Sequence, residues 1–203
     1  MSRFETMPES GQLVIISGPS GVGKTTVLKR LYEVCQRPLT PSVSATTRPQ
    51  RPGEVDGQSY FFLSDEEFQR RRDQGEFLEC VEVFGRGHWY GTLQAPVEEA
   101  LQQGRWVVLE IDVEGAQRVL KEFPSAITIF IHPGSLTELE QRLRGRGTES
   151  ESALERRLEV AQRELEAADA YRHIVINQSV DQTVHDICQL LEASENETRC
   201  TTN

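Results

Sequence analysis

Gly18-Pro-Ser-Gly-Val-Gly-Lys-Thr25 is the stretch that decides the fold, because it has the complete form G-x-x-x-x-G-K-[ST] of a phosphate-binding loop. It follows an apolar run at residues 13–16 and leads into a helix-like segment from Val27 to Cys35. This order of strand, loop and helix is the context in which the motif binds phosphate. A glycine-rich turn with a chance Lys-Thr pair is the alternative, but the pattern and its flanks together favour the phosphate loop.

The residue types in this loop suit a polyphosphate. Glycines let the backbone curl so that several N–H groups point at one anion, and the following helix adds its positive dipole end. Lys24 supplies a mobile charge for β- and γ-phosphate oxygens, and the Thr25 hydroxyl is a suitable ligand for Mg²⁺.

Length and composition narrow the possible classes of protein. The chain has 203 residues, 27% charged and 37% hydrophobic, which fits one α/β domain with insertions. Its formal net charge of -10 argues against a nucleic-acid or membrane-surface partner, so a polyanionic ligand needs a local island of Arg and Lys. The four cysteines show no paired spacing, which favours thiols in a reducing cytoplasm over a zinc site or disulfides. We also find no apolar run long enough to span a membrane.

Nearly continuous apolar runs predict the core strands. These runs lie at residues 13–16, 106–112, 127–131 and 174–176, with a possible short strand at 42–44. Such runs are typical of a parallel sheet that is covered on both faces. Ser64 and Ser135 each open a capping-box pattern that predicts a helix start, and further helices are expected near 151–170 and 180–192.

The block from about 42 to 94 is predicted to be a small β-rich insertion. Its first part, Ala45-Thr-Thr-Arg-Pro-Gln-Arg-Pro-Gly-Glu54, contains two prolines and a glycine and is expected to be a loop that displays Arg48 and Arg51. Strand-like segments follow at 58–63 and 77–84, and residues 85–91 are rich in turn formers.

The order of these motifs resembles the guanylate kinase family over about residues 11–192. The resemblance is carried by the phosphate loop, Ser44 to Glu54, Tyr60, Phe77-Leu-Glu79, Tyr90-Gly-Thr92, Glu110-Ile-Asp112, Arg142-Leu-Arg-Gly-Arg146 and Arg157. The phosphate loop alone is shared with many NTPases, whereas the S-x-x-x-R-x-x-R-x-G-E segment together with the later motifs is far more specific. The family phosphorylates GMP, or dGMP, from ATP and so serves purine metabolism as a transferase.

The resemblance implies an α/β fold with a P-loop NTPase core, a parallel five-stranded sheet flanked by helices, a small β-rich GMP-binding insertion and a helical lid. The implied ranges are a flexible arm at 1–10, a core at 11–41, 95–134 and 166–193, the insertion at 42–94, the lid at 135–165 and a disordered tail at 194–203.

The resemblance also implies roles for residues at matching positions. The expected GMP-binding residues are Ser44, Arg48, Arg51, Tyr60, Glu79, Tyr90, Thr92 and Asp112. The expected ATP-binding residues are Gly18, Pro19, Ser20, Gly21, Val22, Gly23, Lys24, Thr25, Thr26 and Asn177, with Thr25 on the Mg²⁺ ion. The expected catalytic residues are Lys24, Arg142, Arg146 and Arg157.

The chemistry of these residue types agrees with the implied roles. GMP is a dianion, so two guanidinium groups on one loop and tyrosine hydroxyls suit its phosphate. Guanine presents N–H donors at N1 and N2, and a carboxylate such as Glu79 or Asp112 can accept hydrogen bonds from both. Adenine has an acceptor at N1 and no amino group at C2, so it does not match the carboxylate. The acceptor phosphate has a second pKa near 6, so no dedicated general base is needed. The negative charge on the transferred phosphoryl group would be offset by Lys24, Mg²⁺ and the catalytic arginines Arg142, Arg146 and Arg157.

Plainer interpretations of the same residues stay open at this point. Arg48 and Arg51 are also compatible with a solvated loop, and Glu79 with an exposed strand edge. Tyr60 and Tyr90 also fit as core aromatics. Asp112 also fits as a helix cap, and the arginines at 142, 144 and 146 as surface charges; for Arg144 we favour the surface role.

Two other functions compete with GMP phosphorylation. Some guanylate-kinase-like domains bind peptides without catalysis, but these are expected to lack a working phosphate loop, which is intact here. An enzyme of the same fold acting on another monophosphate is the second competitor. Oligomeric state is not readable from the sequence.

Overall fold

The computed structural model describes residues 11–83, 87–145 and 151–201, and helices and strands alternate along them. In chain order they are β1 Gln12–Ser17, α1 Lys24–Val34, β2 Leu39–Pro41, β3 Ala45–Thr46, β4 Phe61–Phe62, α2 Asp65–Asp73, β5 Phe77–Val83, β6 His88–Leu93, α3 Gln94–Gln102, β7 Trp106–Glu110, α4 Val113–Glu122, β8 Ile127–His132, α5 Leu136–Arg144, α6 Glu151–Glu166, a 3-10 turn at Ala168–Ala170, β9 His173–Ile176 and α7 Val180–Thr201.

A five-stranded sheet with the order β2-β7-β1-β8-β9 forms the centre of the α/β fold. The pairs β1–β8, β2–β7 and β8–β9 are parallel. Val14, Ile15 and Ile16 of β1 are fully buried, as are Ile129 and Ile131 of β8. This continuous burial is what a parallel sheet covered on both faces requires, so the predicted parallel five-stranded sheet is confirmed.

The chain divides into two compact units, which we describe separately. The described part of the first comprises residues 11–13, 39–83, 87–109 and 117–125, and that of the second comprises 14–38, 110–116, 126–145 and 151–201.

The first unit contains a four-stranded mixed sheet with the order β4-β3-β6-β5. Its small core has Phe68 of α2 at the centre, stacked on Phe77 with ring centroids 4.5 Å apart. Ser64 begins α2 as predicted, because its hydroxyl accepts a hydrogen bond from the Glu67 N–H.

The second unit carries the glycine-rich loop between β1 and α1. Its satellite core on α5 and α6 comprises Leu139, Leu143, Leu154 and Ala161. Ser135 caps α5 as predicted, since its hydroxyl accepts from the Glu138 N–H. None of the helices among the described residues combines the length and apolarity needed to cross a bilayer.

Two strands differ from the sequence expectation. The edge strand β2 is formed by Leu39–Pro41 rather than residues 42–44, and an edge tolerates Pro41 because its missing N–H costs no ladder bond. Residues 88–91 were expected to be turn-rich, but they begin β6, which pairs antiparallel with β5. Position 91 of that strand requires glycine, because a Cβ there would lie only 2.9 Å from the Cys80 Cβ.

The end of the chain is the third difference. The expected disordered tail began at residue 194, but helix α7 continues to Thr201. Residues 194–201 contain neither Gly nor Pro, so nothing in them stops a helix that is already formed. The expected arm at 1–10 lies outside the described residues.

Candidate active site

Backbone geometry at the glycine-rich loop matches the requirements of an anion nest. Gly23, which precedes α1, has φ of +102°, a left-handed conformation that side chains disfavour. Gly18 approaches β8 so closely that a Cβ would lie 2.3 Å from the Ile131 carbonyl oxygen. The glycines of the motif are therefore needed for the path of the backbone, and the loop ends at the positive end of α1.

The half-buried side chain of Lys24 folds over its own loop. Its Nζ donates to the carbonyl oxygens of Gly18, at 2.6 Å, and Pro19, at 3.3 Å. Burial lowers the pKa of Lys24, while the carboxylates of Glu110, Glu164 and Asp112 oppose that lowering. The Lys24 amino group thus lies inside the loop, hydrogen-bonded to carbonyl oxygens that a phosphate can replace.

Glu110 is a functional candidate that the sequence analysis missed. It lies at the carboxyl end of β7, and its Oε1 accepts a hydrogen bond of 3.3 Å from the Thr25 hydroxyl. A hydroxyl and a carboxylate side by side are the hard oxygen ligands that Mg²⁺ prefers, so these residues fit the ion. An acidic residue at the end of a buried apolar strand is the signal that points to it.

Arg142 and Asn177 brace the loop in this structure. Arg142 donates to the Val22 carbonyl oxygen at 3.2 Å and to the Asn177 carbonyl oxygen at 2.6 Å. The Asn177 side-chain amide donates to Val22 O at 2.7 Å and accepts from the Thr183 hydroxyl at 3.0 Å. Their predicted roles toward phosphate and adenine remain predictions, whereas their contacts here are with the loop backbone.

Helix α6 presents two charged residues to Ser20. Arg157 donates to the Ser20 hydroxyl at 2.7 Å, and the Ser20 N–H donates toward the Glu164 carboxylate. Burial raises the pKa of Glu164, while Lys24 and the Ser20 N–H oppose the rise. Arg144 pairs with Glu140 and Glu151, which confirms its surface role, and Arg146 lies outside the described residues.

The first unit gathers most of the residues expected to bind GMP. Arg48 is only 8% exposed and forms a bidentate ion pair with Glu54, with N–O distances of 2.9 and 2.8 Å. Its guanidinium carbon lies 5.2 Å from the centre of the Tyr60 ring, and Tyr60 contacts Tyr90 edge-on at 6.0 Å. This burial excludes the solvated-loop interpretation for Arg48, whereas Arg51 is exposed.

Glu79 is a buried acid, which excludes the exposed-edge interpretation. It is 7% exposed, and its Oε1 accepts a hydrogen bond of 2.7 Å from the buried Thr92 hydroxyl. The register of β5 and β6 places the two residues opposite each other. Buried carboxylates are retained where hydrogen bonds stabilise them, and the Thr92 hydroxyl supplies such a bond to Glu79.

Ser44 and Asp112 contact the backbone of neighbouring segments. The Ser44 carbonyl oxygen accepts from the Phe61 N–H at 2.9 Å. In the second unit, Asp112 caps α4, since its Oδ1 accepts from the Gly115 N–H at 2.7 Å. The capping interpretation of Asp112 is therefore correct, and capping does not prevent a second role.

Comparison with known proteins identifies the family. The guanylate kinase family profile matches residues 10–194. The chain belongs to the guanylate kinase family. A guanylate kinase of Rhodopirellula baltica is 56% identical over 203 residues, which cover 100% of this chain and 97% of that protein. One of Synechocystis sp. is 49% identical over 185 residues, covering 91% and 95%.

A solved structure agrees with this membership of the guanylate kinase family. The crystal structure of guanylate kinase from Anaplasma phagocytophilum superposes with a TM-score of 0.71 at 30% identity. The match covers 92% of this chain and 87% of that one. The P-loop α/β fold expected from the sequence is therefore the fold of a guanylate kinase.

Proposed function

We propose that this chain transfers the γ-phosphoryl group of ATP to GMP or dGMP and releases ADP and GDP or dGDP. The observation that carries the proposal is the intact phosphate loop with Lys24 inside it, in a chain of this family. A peptide-binding module of the same fold has no use for a lysine held within an anion nest. The reaction would recycle GMP and supply guanine nucleotides.

The loop residues 18–26 would bind the ATP phosphates, and Asn177 would lie near the adenine. Backbone N–H groups of the loop and the α1 dipole suit the β-phosphate, and Lys24 suits the β- and γ-phosphate oxygens. Thr25 would ligate Mg²⁺, supported by Glu110, which accepts the Thr25 hydroxyl hydrogen bond. When bound, the ion neutralises phosphate charge and orients the polyphosphate.

The acceptor would bind to the insertion at residues 42–94. Arg48 and Arg51, with the hydroxyls of Tyr60 and Tyr90, would hold the GMP phosphate. The carboxylate of Glu79 would accept hydrogen bonds from the guanine N1–H and N2–H groups. Leaving such a buried acceptor unpaired with adenine would cost about 1–3 kcal/mol, which favours guanine. Ser44, Thr92 and Asp112 would complete the guanine contacts.

The catalytic demand is charge neutralisation and the exclusion of water. The acceptor phosphate is largely deprotonated at neutral pH, so it attacks without a general base. Lys24, Arg142, Arg146 and Arg157 would stabilise the charge of the transferred phosphoryl group. The segment 135–165 would act as the lid that keeps water from the γ-phosphate.

The location proposed for the protein is the reducing cytoplasm. The thiols of Cys35, Cys80 and Cys188, which form no disulfide, suit that compartment.

An acceptor panel tests the proposal. The wild-type protein with Mg²⁺ and ATP is supplied in turn with GMP, dGMP, AMP, UMP and dTMP, and ADP release is followed by a coupled assay. We expect GMP to give the highest kcat/KM, by at least about 100-fold over AMP. A higher kcat/KM for AMP, UMP or dTMP would instead make the chain a kinase for that nucleotide.

A further inference from the structure

Glu54 holds one edge of the Arg48 guanidinium. Its Oε2 accepts from Arg48 Nη1 at 2.9 Å and its Oε1 accepts from Nη2 at 2.8 Å. Nη1 also donates to the Pro49 carbonyl oxygen at 2.7 Å. Glu54 is the main reason that the pKa of Arg48 is raised, and Arg48 in turn lowers the pKa of Glu54.

These contacts occupy three of the five N–H donors that a guanidinium carries. The Glu54 and Pro49 contacts do not use the Nε–H and the second Nη2–H, which point in the same direction. This pair forms the side edge of Arg48, and a side edge is one of the two forks that bind a phosphate bidentately. The Tyr90 hydroxyl, itself expected to contact the GMP phosphate, also hydrogen-bonds with Arg48, so a phosphate would bind here next to that hydroxyl. Glu54 therefore decides which edge of Arg48 is presented to a ligand.

Aromatic rings fix the plane of the same guanidinium. Its central carbon lies 5.2 Å from the Tyr60 ring centre and 5.7 Å from that of Phe62. With 8% exposure, Arg48 has little freedom to adopt another rotamer once Glu54 is in place.

Glu54 also fixes the backbone at Arg51. Its Oε2 accepts from the Arg51 N–H at 2.8 Å, and its own N–H donates to the Arg51 carbonyl oxygen at 3.1 Å. Gly53, with φ of +86°, lets the chain return over this short distance. One carboxylate thus ties together the guanidinium of Arg48 and the main chain of Arg51.

We propose that Glu54 is a positioning residue for the acceptor phosphate, which holds Arg48 by one fork so that the other fork is pre-oriented for the GMP phosphate. The inference rests on the proposed function, in which Arg48 binds that phosphate. Glu54 is not expected to touch a reacting atom, and we expect it to act on the acceptor phosphate through Arg48. Pre-orientation of Arg48 reduces the entropy that is lost when the ligand binds. Removing this pre-orientation is therefore expected to weaken GMP binding.

The test compares Glu54→Gln with the wild-type protein. Glutamine keeps the size of the side chain but turns an NH₂ group toward one guanidinium donor, which breaks the two-point pairing. We expect the Kd for GMP, measured by titration calorimetry, to rise about tenfold, with the KM for ATP unchanged within twofold. Glu122→Gln, an exposed acid of the same unit on α4, is the matched control and is expected to leave both constants unchanged.

A double-mutant cycle distinguishes positioning from a general role in the loop. Arg48→Met keeps an unbranched apolar side chain but removes the guanidinium and every donor. If Glu54 acts through Arg48, adding Glu54→Gln to Arg48→Met raises the GMP Kd less than twofold further. A full tenfold effect in that background, or no effect of Glu54→Gln in the wild-type background, would overturn the inference.

The same preparations separate this inference from the proposed function. A wild-type protein that binds GMP but forms no GDP would refute the proposed function, while the binding cycle still decides the role of Glu54. A Glu54→Gln protein that binds GMP and forms GDP like the wild type would refute the inference alone. The thermal midpoint of each variant shows whether the fold is intact.

Discussion

Lys24 carries much of the positive charge that the proposed reaction needs. We predict that Lys24→Met lowers kcat/KM for ATP by about 10²–10³-fold, the usual cost of removing one group that stabilises transition-state charge. The fold is expected to persist, because Lys24 bonds only to the carbonyls of its own loop among the contacts described. Steady-state kinetics measures the loss, and Lys29→Met, an exposed position on α1, is the control. Wild-type activity in Lys24→Met would contradict the role of the loop.

Glu79 is predicted to set the choice of base. In Glu79→Gln, one guanine N–H donor would face an NH₂ group, at a cost of about 1–3 kcal/mol, or roughly 5–150-fold in kcat/KM for GMP. AMP, which has no matching donors, loses less, so the ratio of kcat/KM for GMP to that for AMP falls. Glu82→Gln on the same strand, where the side chain is exposed, serves as the control. An unchanged ratio would remove Glu79 from guanine recognition.

Individual residue types could be predicted from the sequence only where a motif names them. The loop residues follow from their motif, because each backbone turn is local, whereas the role of Arg48 is implied only by the resemblance to the guanylate kinase family. Glu110 and Glu54 could not be assigned in this way. Glu110 meets Thr25 across 85 positions, and the role of Glu54 depends on which edge of a guanidinium it occupies.

At the scale of an element, helix α5 depends on its cap. Ser135→Ala removes the acceptor for the Glu138 N–H and is predicted to lower the free energy of unfolding by about 1 kcal/mol. Ser135→Asp keeps an acceptor and is expected to stay within about 0.5 kcal/mol of the wild type. Urea denaturation measures both. Equal losses in the two variants would show that the hydroxyl has another role.

Helix α6 gives a prediction about pH through Glu164. Since its pKa is raised above 4.5, the folded chain keeps the proton over a pH range in which the unfolded chain has released it. The protonated Glu164 therefore contributes to the free energy of unfolding fully below pH 4.5, and this contribution is lost as pH rises through the folded-state pKa of Glu164. The stability of the wild type relative to Glu164→Gln should therefore fall across that window.

Unfolding by urea at a series of pH values above 4.5 tests this sign. The exposed Glu159→Gln on the same helix is the control, and its difference from the wild type should not vary in the same way. A wild type that gains stability over Glu164→Gln with rising pH would mean that Glu164 is stabilised as a carboxylate.

The caps of α2 and α5 were predictable because their signals lie within four residues. Strand β6 was not, since three glycines within residues 85–91 indicate a turn and were given more weight than the strand-forming Trp89 and Tyr90. Its strand conformation depends on pairing with β5, and Gly91 is there to make room for the neighbouring strand. The extension of α7 beyond residue 193 was not predicted, because residues 194–201 are polar. Their lack of Gly and Pro, which lets the helix continue, is the signal that points to it.

For the whole molecule, the net charge argues against nucleic-acid and membrane-surface partners but does not identify the ligand. A chain of formal charge -10 must bind two polyanionic nucleotides through local positive groups, and Arg48 and Lys24 are such groups. The fold class was predictable because buried parallel strands have continuous apolar runs. The lid and the insertion remain predictions, since their roles belong to a state with nucleotides bound.

Phosphorus NMR of the wild-type protein with GMP, ATP and Mg²⁺ tests the central claim most directly. The account predicts that the GMP signal declines as the two signals of GDP appear, in step with the conversion of ATP to ADP. No inorganic phosphate should form on the same timescale. ATP consumed to ADP and inorganic phosphate with GMP left intact, or no change in either nucleotide, would contradict it.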